Sequence, residues 1–205
     1  MGGRLVLGFD TSAAHCAAAL LSGDRIVAQA HEPMDRGQAE RLMPMLEAVL
    51  GEAGATWRDL ARIGVGTGPG NFTGVRIAVA AARGLALGLG IPAIGVPRLE
   101  ALALGHPRPL TVVDGARGGA VHVQSFGQGG PGPVRIAPAD DPGPLPGLRV
   151  GVDGQPARYP PAEAVARIAA ARSGAPQPRP APVYLRAADA ALPADPPPRI
   201  LHDPP

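Results

Sequence analysis

The chain has 205 residues, 45% of them hydrophobic and 18% charged, which suffices for one large domain or two small lobes with packed cores. The net charge is +2, all 19 basic residues are arginine and aromatic residues make up 3%, which argues against a strong phosphate-tracking surface and against base-stacking platforms. The single cysteine, Cys16, excludes intramolecular disulfides.

Membrane segments and secretion signals are not expected. The most apolar stretch is interrupted by Arg76, Arg83 and several glycines, so it lacks the ~20 unbroken apolar residues of a membrane span. Residues 1–10 lack the charged, apolar and small-residue layout of a secretory signal. Together with the lone cysteine, this predicts a cytoplasmic protein that has no membrane partner.

The first hundred residues predict an α/β lobe with a mixed sheet. A buried strand at 5–12 precedes two strands within 16–32, which a turn at 22–24 joins as a hairpin. Apolar residues recur at helical spacing over 38–54, and a second helix is predicted over 74–89. Shorter elements complete this lobe: strands at 61–68 and 91–96, and a helix at 98–105.

The texture of the sequence changes near residue 105, where we place a lobe boundary. Residues 1–105 form the predicted N-terminal lobe, and residues 106–205 a smaller C-terminal lobe with loops rich in proline and glycine. The second lobe is predicted to contain two strands within 109–126, a strand at 149–154 and a helix at 161–174. Residues 127–148 are predicted to be loop or weakly ordered, and the sequence leaves their fold open.

Two glycine- or hydroxyl-rich turns are candidates for a nucleotide site. Asp10, Thr11 and Ser12 end the first strand, where they could reach phosphates or magnesium, although composition favours a capped turn. The turn 66–74, GTGPGNFTG, precedes a helix, and the backbone N–H groups around Gly68 and Gly70 could converge on an anion. A tight turn that needs glycine conformations, with a cap from Asn71 or Thr73, explains the same residues equally well.

The helix predicted over 74–89 is apolar on nearly every side, so it should be buried on nearly every side. A sheet covers one face; a third helix of this chain or a partner subunit would cover the other. We predict a partner interface on this helix and on the helix over 38–54, comprising Leu42, Met43, Met45, Leu46, Val49, Gly74, Arg76, Ala78, Ala81, Ala82, Gly84, Leu85 and Gly88.

Catalytic and metal-ligating patterns are missing. No two of the five histidines lie three or four residues apart, so a helical metal pair is excluded and no metal site is predicted. No serine lies in a G-x-S-x-G elbow, and Cys16 lies in an apolar strand pattern that favours a core position. We therefore predict no catalytic residue.

Several motifs in order resemble the TsaB family, which serves in making N6-threonylcarbamoyladenosine in bacterial tRNA. GTGPGNFTGVR is similar to the family's G-x-G-P-G-S-F-T-G-[VL]-R segment, and LGFDTS to its opening strand. QAERLMPMLEAVL resembles its H-[ST]-x-x-L-[LM]-P helix, with Gln38 where histidine is frequent, and PVYLRAADA at 182–190 matches its P-x-Y-[LV]-R tail. ARGGAVHV only loosely resembles the family's D-A-R-[RM]-G-E-V-Y.

The resemblance implies a two-lobe actin/sugar-kinase-like fold, with mixed sheets and a reduced second lobe. It also implies a partner, TsaD, a homologue that carries the catalytic metal and modifies adenosine 37 of tRNAs reading codons that begin with A. TsaD-like chains read roughly N-H-L-E-G-H after the 91–96 strand, whereas this chain has Arg98 and Leu102 in place of both histidines. A non-catalytic scaffold subunit is therefore expected.

The resemblance also sets expectations for ligands and further partners. No cofactor is required by this chain, and weak ATP or ADP binding is expected only at the subunit contact. The ATPase TsaE would join the assembled complex, tRNA would be bound indirectly through it, and the chain alone could form a homodimer. The alternative is a free-standing ATP-dependent phosphotransferase of the same fold that uses Asp10 and the 66–70 turn.

Overall fold

The computed structural model describes residues 5–172 and 177–185 of the chain. Its first sheet contains five strands in the order β3-β2-β1-β4-β5. The strands β1 to β3 run antiparallel as a meander, whereas β4 and β5 run parallel to β1, so the predicted mixed sheet is confirmed. Their bounds are β1 Leu5–Asp10, β2 His15–Ser22, β3 Arg25–Pro33, β4 Leu60–Gly66 and β5 Ala93–Val96.

Two helices, α1 (Gln38–Glu52) and α2 (Phe72–Leu89), cover one face of this sheet and enclose the main hydrophobic core. The core takes alternate residues of the strands, because successive strand side chains point to opposite faces. The sequence predicted both helices to within two residues at each end. Asn71 caps α2, since its side-chain oxygen accepts hydrogen bonds from the backbone N–H groups of Thr73 and Gly74.

The opposite face of the first sheet is covered by α4 (Pro161–Ala171). Glycines allow this contact: a Cβ on Gly8 would clash with the Ala162 carbonyl and with Ala166, and a Cβ on Gly64 with Ala169. The sequence assigned this helix to a second lobe running over 106–205. That assignment is corrected for α4, because the missing glycine side chains let the helix backbone lie directly on the first sheet.

The second sheet contains β6 (Leu110–Gly115) and β7 (Ala120–Gly127) as an antiparallel pair, with β10 (Leu148–Gly151) parallel to β6. The short helix α3 (Arg98–Ala103) packs on it through Leu99, which contacts a core that includes Leu110, Val112 and Phe126. Two short strands, β8 (Gly130–Pro131) and β9 (Arg135–Pro138), pair with β7 inside the region that was predicted as loop. That prediction was wrong for these residues, because edge pairing with β7 outweighs their poor strand composition.

The helix α2 is not buried on nearly every side. Its buried residues form one stripe against the sheet, and the opposite stripe is exposed. Within the described part of the chain, α2 alone has the length and apolar composition to cross a bilayer, a test that core helices of soluble proteins also pass. Among the described residues no third helix of this chain covers the exposed stripe, so that alternative is not borne out, and cover by a partner subunit stays a prediction.

Candidate functional site

The carboxylate of Asp10, at the end of β1, is buried and held by neighbours of its own chain. It accepts hydrogen bonds from the Ser12 backbone N–H at 2.7 Å and the Ser12 hydroxyl at 2.8 Å, and His15 Nε2 lies 2.9 Å from it. Burial acts to raise the pKa of Asp10, but the His15 and Ser12 interactions outweigh it and lower that pKa below its usual value. The carboxylate is therefore ionised near neutral pH with its oxygens already engaged.

The glycine-rich turn lies directly on the turn that follows β1. The Thr11 hydroxyl donates to the Gly74 carbonyl at 2.6 Å, and the Asn71 N–H donates to the Ser12 carbonyl at 2.6 Å. A Cβ on Gly74 would overlap the carbonyl of Thr11, and one on Gly70 would overlap the carbonyl of Ser12. Close packing of two backbone segments thus accounts for these glycines, as the tight-turn alternative predicted.

The predicted nucleotide residues are brought together, but around very little free space. Gly66 leaves room for the Asp10 carboxylate, and Gly68 has a φ of +80°, which the turn requires. The cavity beside Asp10 has a volume of about 10 Å³ and is lined also by Arg98 and Tyr159. Such a volume holds roughly one water molecule, so this conformation has no room there for a nucleotide.

Sequence reasoning missed the groups that surround this turn. The backbone N–H of Arg98 donates to the Gly68 carbonyl at 2.7 Å, and its guanidinium forms a bidentate pair with Asp114 at 2.6 and 3.1 Å. Through these contacts Arg98, which the sequence aligns with a histidine of TsaD-like chains, links the turn after β4 of the first sheet to β6 of the second. The spacing of Asp10 and His15 carried no signal of their contact.

The C-terminal segment 177–185, hereafter the strap, returns to the start of α2. The Val183 N–H donates to the Thr67 carbonyl at 2.8 Å, and Arg76 Nε donates to the Tyr184 hydroxyl at 2.8 Å. The Arg76 guanidinium also lies 3.6 Å from the centroid of the Phe72 ring. The strap thus covers part of the first turns of α2. The rest of the predicted tail motif, 186–190, lies outside the described residues.

Beyond the strap, α2 presents an uncovered face, hereafter the open face. Leu87 on this face is 85% exposed, and a Cβ added to Gly84 or Gly88 would meet no atom within 4 Å. The exposed stripe recurs at helical spacing and comprises Phe72, Thr73, Arg76, Ala80, Arg83, Gly84, Leu87 and Gly88. Phe72 and Arg76, at its start, also contact Tyr184 of the strap. It is largely apolar and carries two arginines.

The structure separates the predicted interface residues into two groups. Seven are covered by their own chain and cannot contact a partner directly: Leu42, Met45, Leu46, Val49, Gly74, Ala78 and Ala82. For these the prediction was wrong, because the apolar positions at helical spacing face the sheet. The other six remain accessible and their role stays a prediction: Met43, Arg76, Gly84 and Gly88 are exposed, while Ala81 and Leu85 are half-buried.

No cluster of three or more histidine, cysteine, aspartate or glutamate side chains that could hold a metal occurs within residues 5–172 and 177–185. Cys16 is fully buried, and burial raises the pKa of its thiol to about 11, so the predicted core position is confirmed.

Comparisons with known proteins agree on one kind of relative. The profile of the TsaD family, tRNA N6-adenosine threonylcarbamoyltransferase, matches residues 29–129. The Escherichia coli protein described as tRNA threonylcarbamoyladenosine biosynthesis protein TsaB is 38% identical over 100 residues, which cover 49% of this chain and 43% of that protein. The chain therefore spans less than half the length of this relative.

Two further relatives are matched over most of their length. An uncharacterized protein of Mycobacterium tuberculosis is 36% identical over 177 residues, which cover 82% of each chain. The solved structure of YeaZ from Pseudomonas aeruginosa is 31% identical, with a TM-score of 0.71, and the match covers 89% of this chain and 100% of that one.

Proposed function

The chain belongs to the TsaB family, with YeaZ among its solved structures, and on that basis we propose that it is the non-catalytic partner of a TsaD-type subunit. In this role it supports formation of N6-threonylcarbamoyladenosine at position 37 of tRNAs that read codons beginning with A. The actin/sugar-kinase-like fold of this chain fits this role, because TsaB-type and TsaD-type subunits are expected to be homologous and to share that fold. The site of action would be the cytoplasm, where tRNA is modified.

The open face of α2 is the observation that carries the proposal. It combines an 85%-exposed leucine with two glycines that have free space above them, so a second helix could approach its backbone closely. Leu87, Gly84 and Gly88 would form the centre of the contact, and Arg76 and Arg83 its charged positions. Met43, exposed on α1, would add to this contact. A homodimer through the same face is the expected state when the partner is absent.

The proposal that this subunit is non-catalytic rests on the residues found where a metal ligand or a free carboxylate would be needed. Arg98 is engaged with Asp114, and Leu102 has no ligand atom, so neither can serve as a metal ligand. The Asp10 carboxylate is engaged with Ser12 and His15 rather than directed at open space. These contacts argue equally against the phosphotransferase alternative.

The proposal assigns other ligands to the assembly rather than to this chain. Because the cavity beside Asp10 holds about 10 Å³, weak ATP or ADP binding would be confined to the subunit contact. TsaE would join the complex of the two subunits, and tRNA would be held through the complex, in keeping with a net charge of only +2.

Light scattering coupled to size exclusion tests the pairing. We expect the chain, mixed with the TsaD-type subunit of its own organism, to form a stable one-to-one complex at the expense of any homodimer. Gly84→Arg places a charged side chain on the open face and should weaken pairing roughly 100-fold, on the order of 3 kcal/mol. The isolated variant should still fold, because the added Cβ meets no atom and arginine favours helix over glycine.

Gly129→Arg is the matched control, since Gly129 is exposed in the second sheet region and its added Cβ also meets open space. It should leave pairing unchanged. Absence of any complex at tens of micromolar with ATP and magnesium would overturn the partner proposal. Equal pairing of the Gly84→Arg variant and the wild type would overturn the assignment of the open face.

A further inference from the structure

A hollow of about 480 Å³ lies at the end of α2 away from the glycine-rich turn, between that helix, β5 and the strap. Four arginines line it: Arg62 from β4, Arg83 from α2, Arg172 after α4 and Arg179 from the strap. No aspartate or glutamate lines it within the described part of the chain. Its volume lies in the range of small-molecule sites.

Two of the four arginines hydrogen-bond to the elements that line the hollow. The Arg172 guanidinium binds the Gly95 carbonyl at 2.8 Å and both carboxylate oxygens of Glu100 at 2.6 Å. Arg62 donates to the Ala169 carbonyl at 3.1 Å, near the end of α4, where a cation complements the helix dipole. These contacts fix α4 and β5 as two rigid sides of the hollow.

The other two arginines keep their charge available. Neither Arg83 nor Arg179 forms an ion pair within residues 5–172 and 177–185, and both are exposed. Among the carboxylates of residues 5–172 and 177–185, only Glu100 offsets one of these charges, that of Arg172, which leaves three guanidinium groups without an ion-pair partner in that part of the chain. Guanidinium groups bind phosphate oxygens in a bidentate geometry, and such a concentration of positive charge draws anions from solution.

The remaining lining is apolar. Leu87 of α2, Ile91, Pro92 and Ile94 contribute hydrocarbon surface beside the charged groups. An inorganic anion would use the guanidinium groups but leave this surface exposed to water. A ligand that carries both a phosphate group and a flat apolar body would use both parts of the lining.

We propose that this hollow binds a small organic phosphate, with its phosphate on Arg83 and Arg179 and its apolar body against Ile91, Pro92 and Ile94. This site is separate from the turn at Asp10. It shares Arg83 and Leu87 with the open face, but binding to the isolated chain does not depend on pairing with another subunit. It assigns a binding role to the strap, because Arg179 brings the second free guanidinium to the hollow.

Isothermal titration calorimetry of the isolated full chain with phenyl phosphate tests the site, with inorganic phosphate and phenol as partial probes. We expect phenyl phosphate to bind at millimolar concentration or below, and tighter than either partial probe. Arg83→Gln and Arg179→Gln should each weaken binding about tenfold, because each removes one charge-assisted contact. Both side chains are exposed, so neither change should unfold the chain.

Arg36→Gln is the control, since Arg36 is exposed before α1, remote in the fold from the hollow, and forms no ion pair within the described residues. Binding by this variant should equal that of the wild type. Equal weakening by all three variants would indicate attraction by net charge alone and overturn the site. The ligand class would be overturned if phenyl phosphate did not bind at about 10 mM. It would also be overturned if inorganic phosphate bound as tightly as phenyl phosphate.

Discussion

The two ends of α2 use glycine for opposite reasons. Gly74, in its first turn, lies so close to the Thr11 carbonyl that a Cβ would overlap it, whereas Gly84 and Gly88, farther along, have open space where a Cβ would be. Glycine costs a helix roughly 1 kcal/mol relative to alanine at each interior position. At Gly74 the contact within the chain explains that cost, but at Gly84 and Gly88 nothing within the described chain does. The two glycines whose cost no contact within the described chain explains therefore lie on the surface that we propose as the partner contact.

The largest expected effect comes from a substitution at the packed start of α2. Gly74→Ala should lower the free energy of unfolding by about 3 kcal/mol, because the new methyl group meets a backbone carbonyl that cannot turn aside. Helix propensity alone would favour the alanine, so a loss of stability measures the clash. Urea unfolding followed by circular dichroism provides the measurement. A variant as stable as the wild type would contradict the close contact between the two turns.

The Asp10 carboxylate, for which Gly66 leaves room, should be the next most sensitive group. Asp10→Asn removes a charge that accepts hydrogen bonds from Ser12 and contacts His15, so we expect a loss of about 2 kcal/mol near neutral pH. Asp24→Asn, at an exposed turn position, is the control and should change stability little.

The same carboxylate predicts a pH dependence. Its pKa is lower in the folded chain than the roughly 3.9 of an unfolded aspartate, so the unfolded state binds the proton more readily. The stabilisation is therefore fully present above about pH 4 and is lost as the pH falls through the lowered folded pKa. The difference in stability between wild type and Asp10→Asn should shrink on acidification below pH 4. A difference that stays constant down to pH 2 would contradict it.

Substitutions at the exposed glycines of α2 should change stability in the opposite direction. Gly84→Ala and Gly88→Ala should each raise the free energy of unfolding of the isolated chain by about 1 kcal/mol, because alanine gains helix propensity and meets no neighbour. Thermal unfolding of the isolated chain measures this. Destabilisation by either change would mean that the chain itself covers the open face. If the same variants pair less tightly with the TsaD-type subunit, close helix approach explains why glycine is present.

Much of this fold could be predicted from hydrophobic spacing, and the failures have physical causes. Leu42, Leu46 and Val49 recur at helical spacing and are buried, as the pattern indicates, although it was assigned to a partner rather than to the sheet. Met45, which was assigned to the same partner contact, is also buried, because a core-facing helix stripe is wide enough to include it. Position on a helix face was therefore predictable, but the identity of the covering surface was not.

The candidate site was less accessible to sequence reasoning. The turn 66–74 contains the same glycines whether its N–H groups converge on an anion or its backbone packs on another turn, so composition could not separate the two. The return of α4 to the first sheet depends on Gly8 and Gly64, which look in the sequence like ordinary strand residues. Contacts between residues far apart in the chain, such as Arg76 with Tyr184, leave no local pattern at all.

The smallest expected effect lies at the boundary between the covered and open parts of α2. Tyr184→Phe removes the hydroxyl that accepts from Arg76, and Tyr184 is 50% exposed, so the loss of stability should be about 0.5 kcal/mol. A double-mutant cycle with Arg76→Gln isolates the pair: a coupling energy near zero would contradict the contact. Since so weak a contact holds the Tyr184 side chain, a partner helix extending along the open face could displace Tyr184 from Phe72 and Arg76 at little cost. If the Tyr184→Phe variant pairs at least as tightly as the wild type, displacement of Tyr184 by the partner is supported. If it pairs more weakly, the strap is instead part of the binding surface.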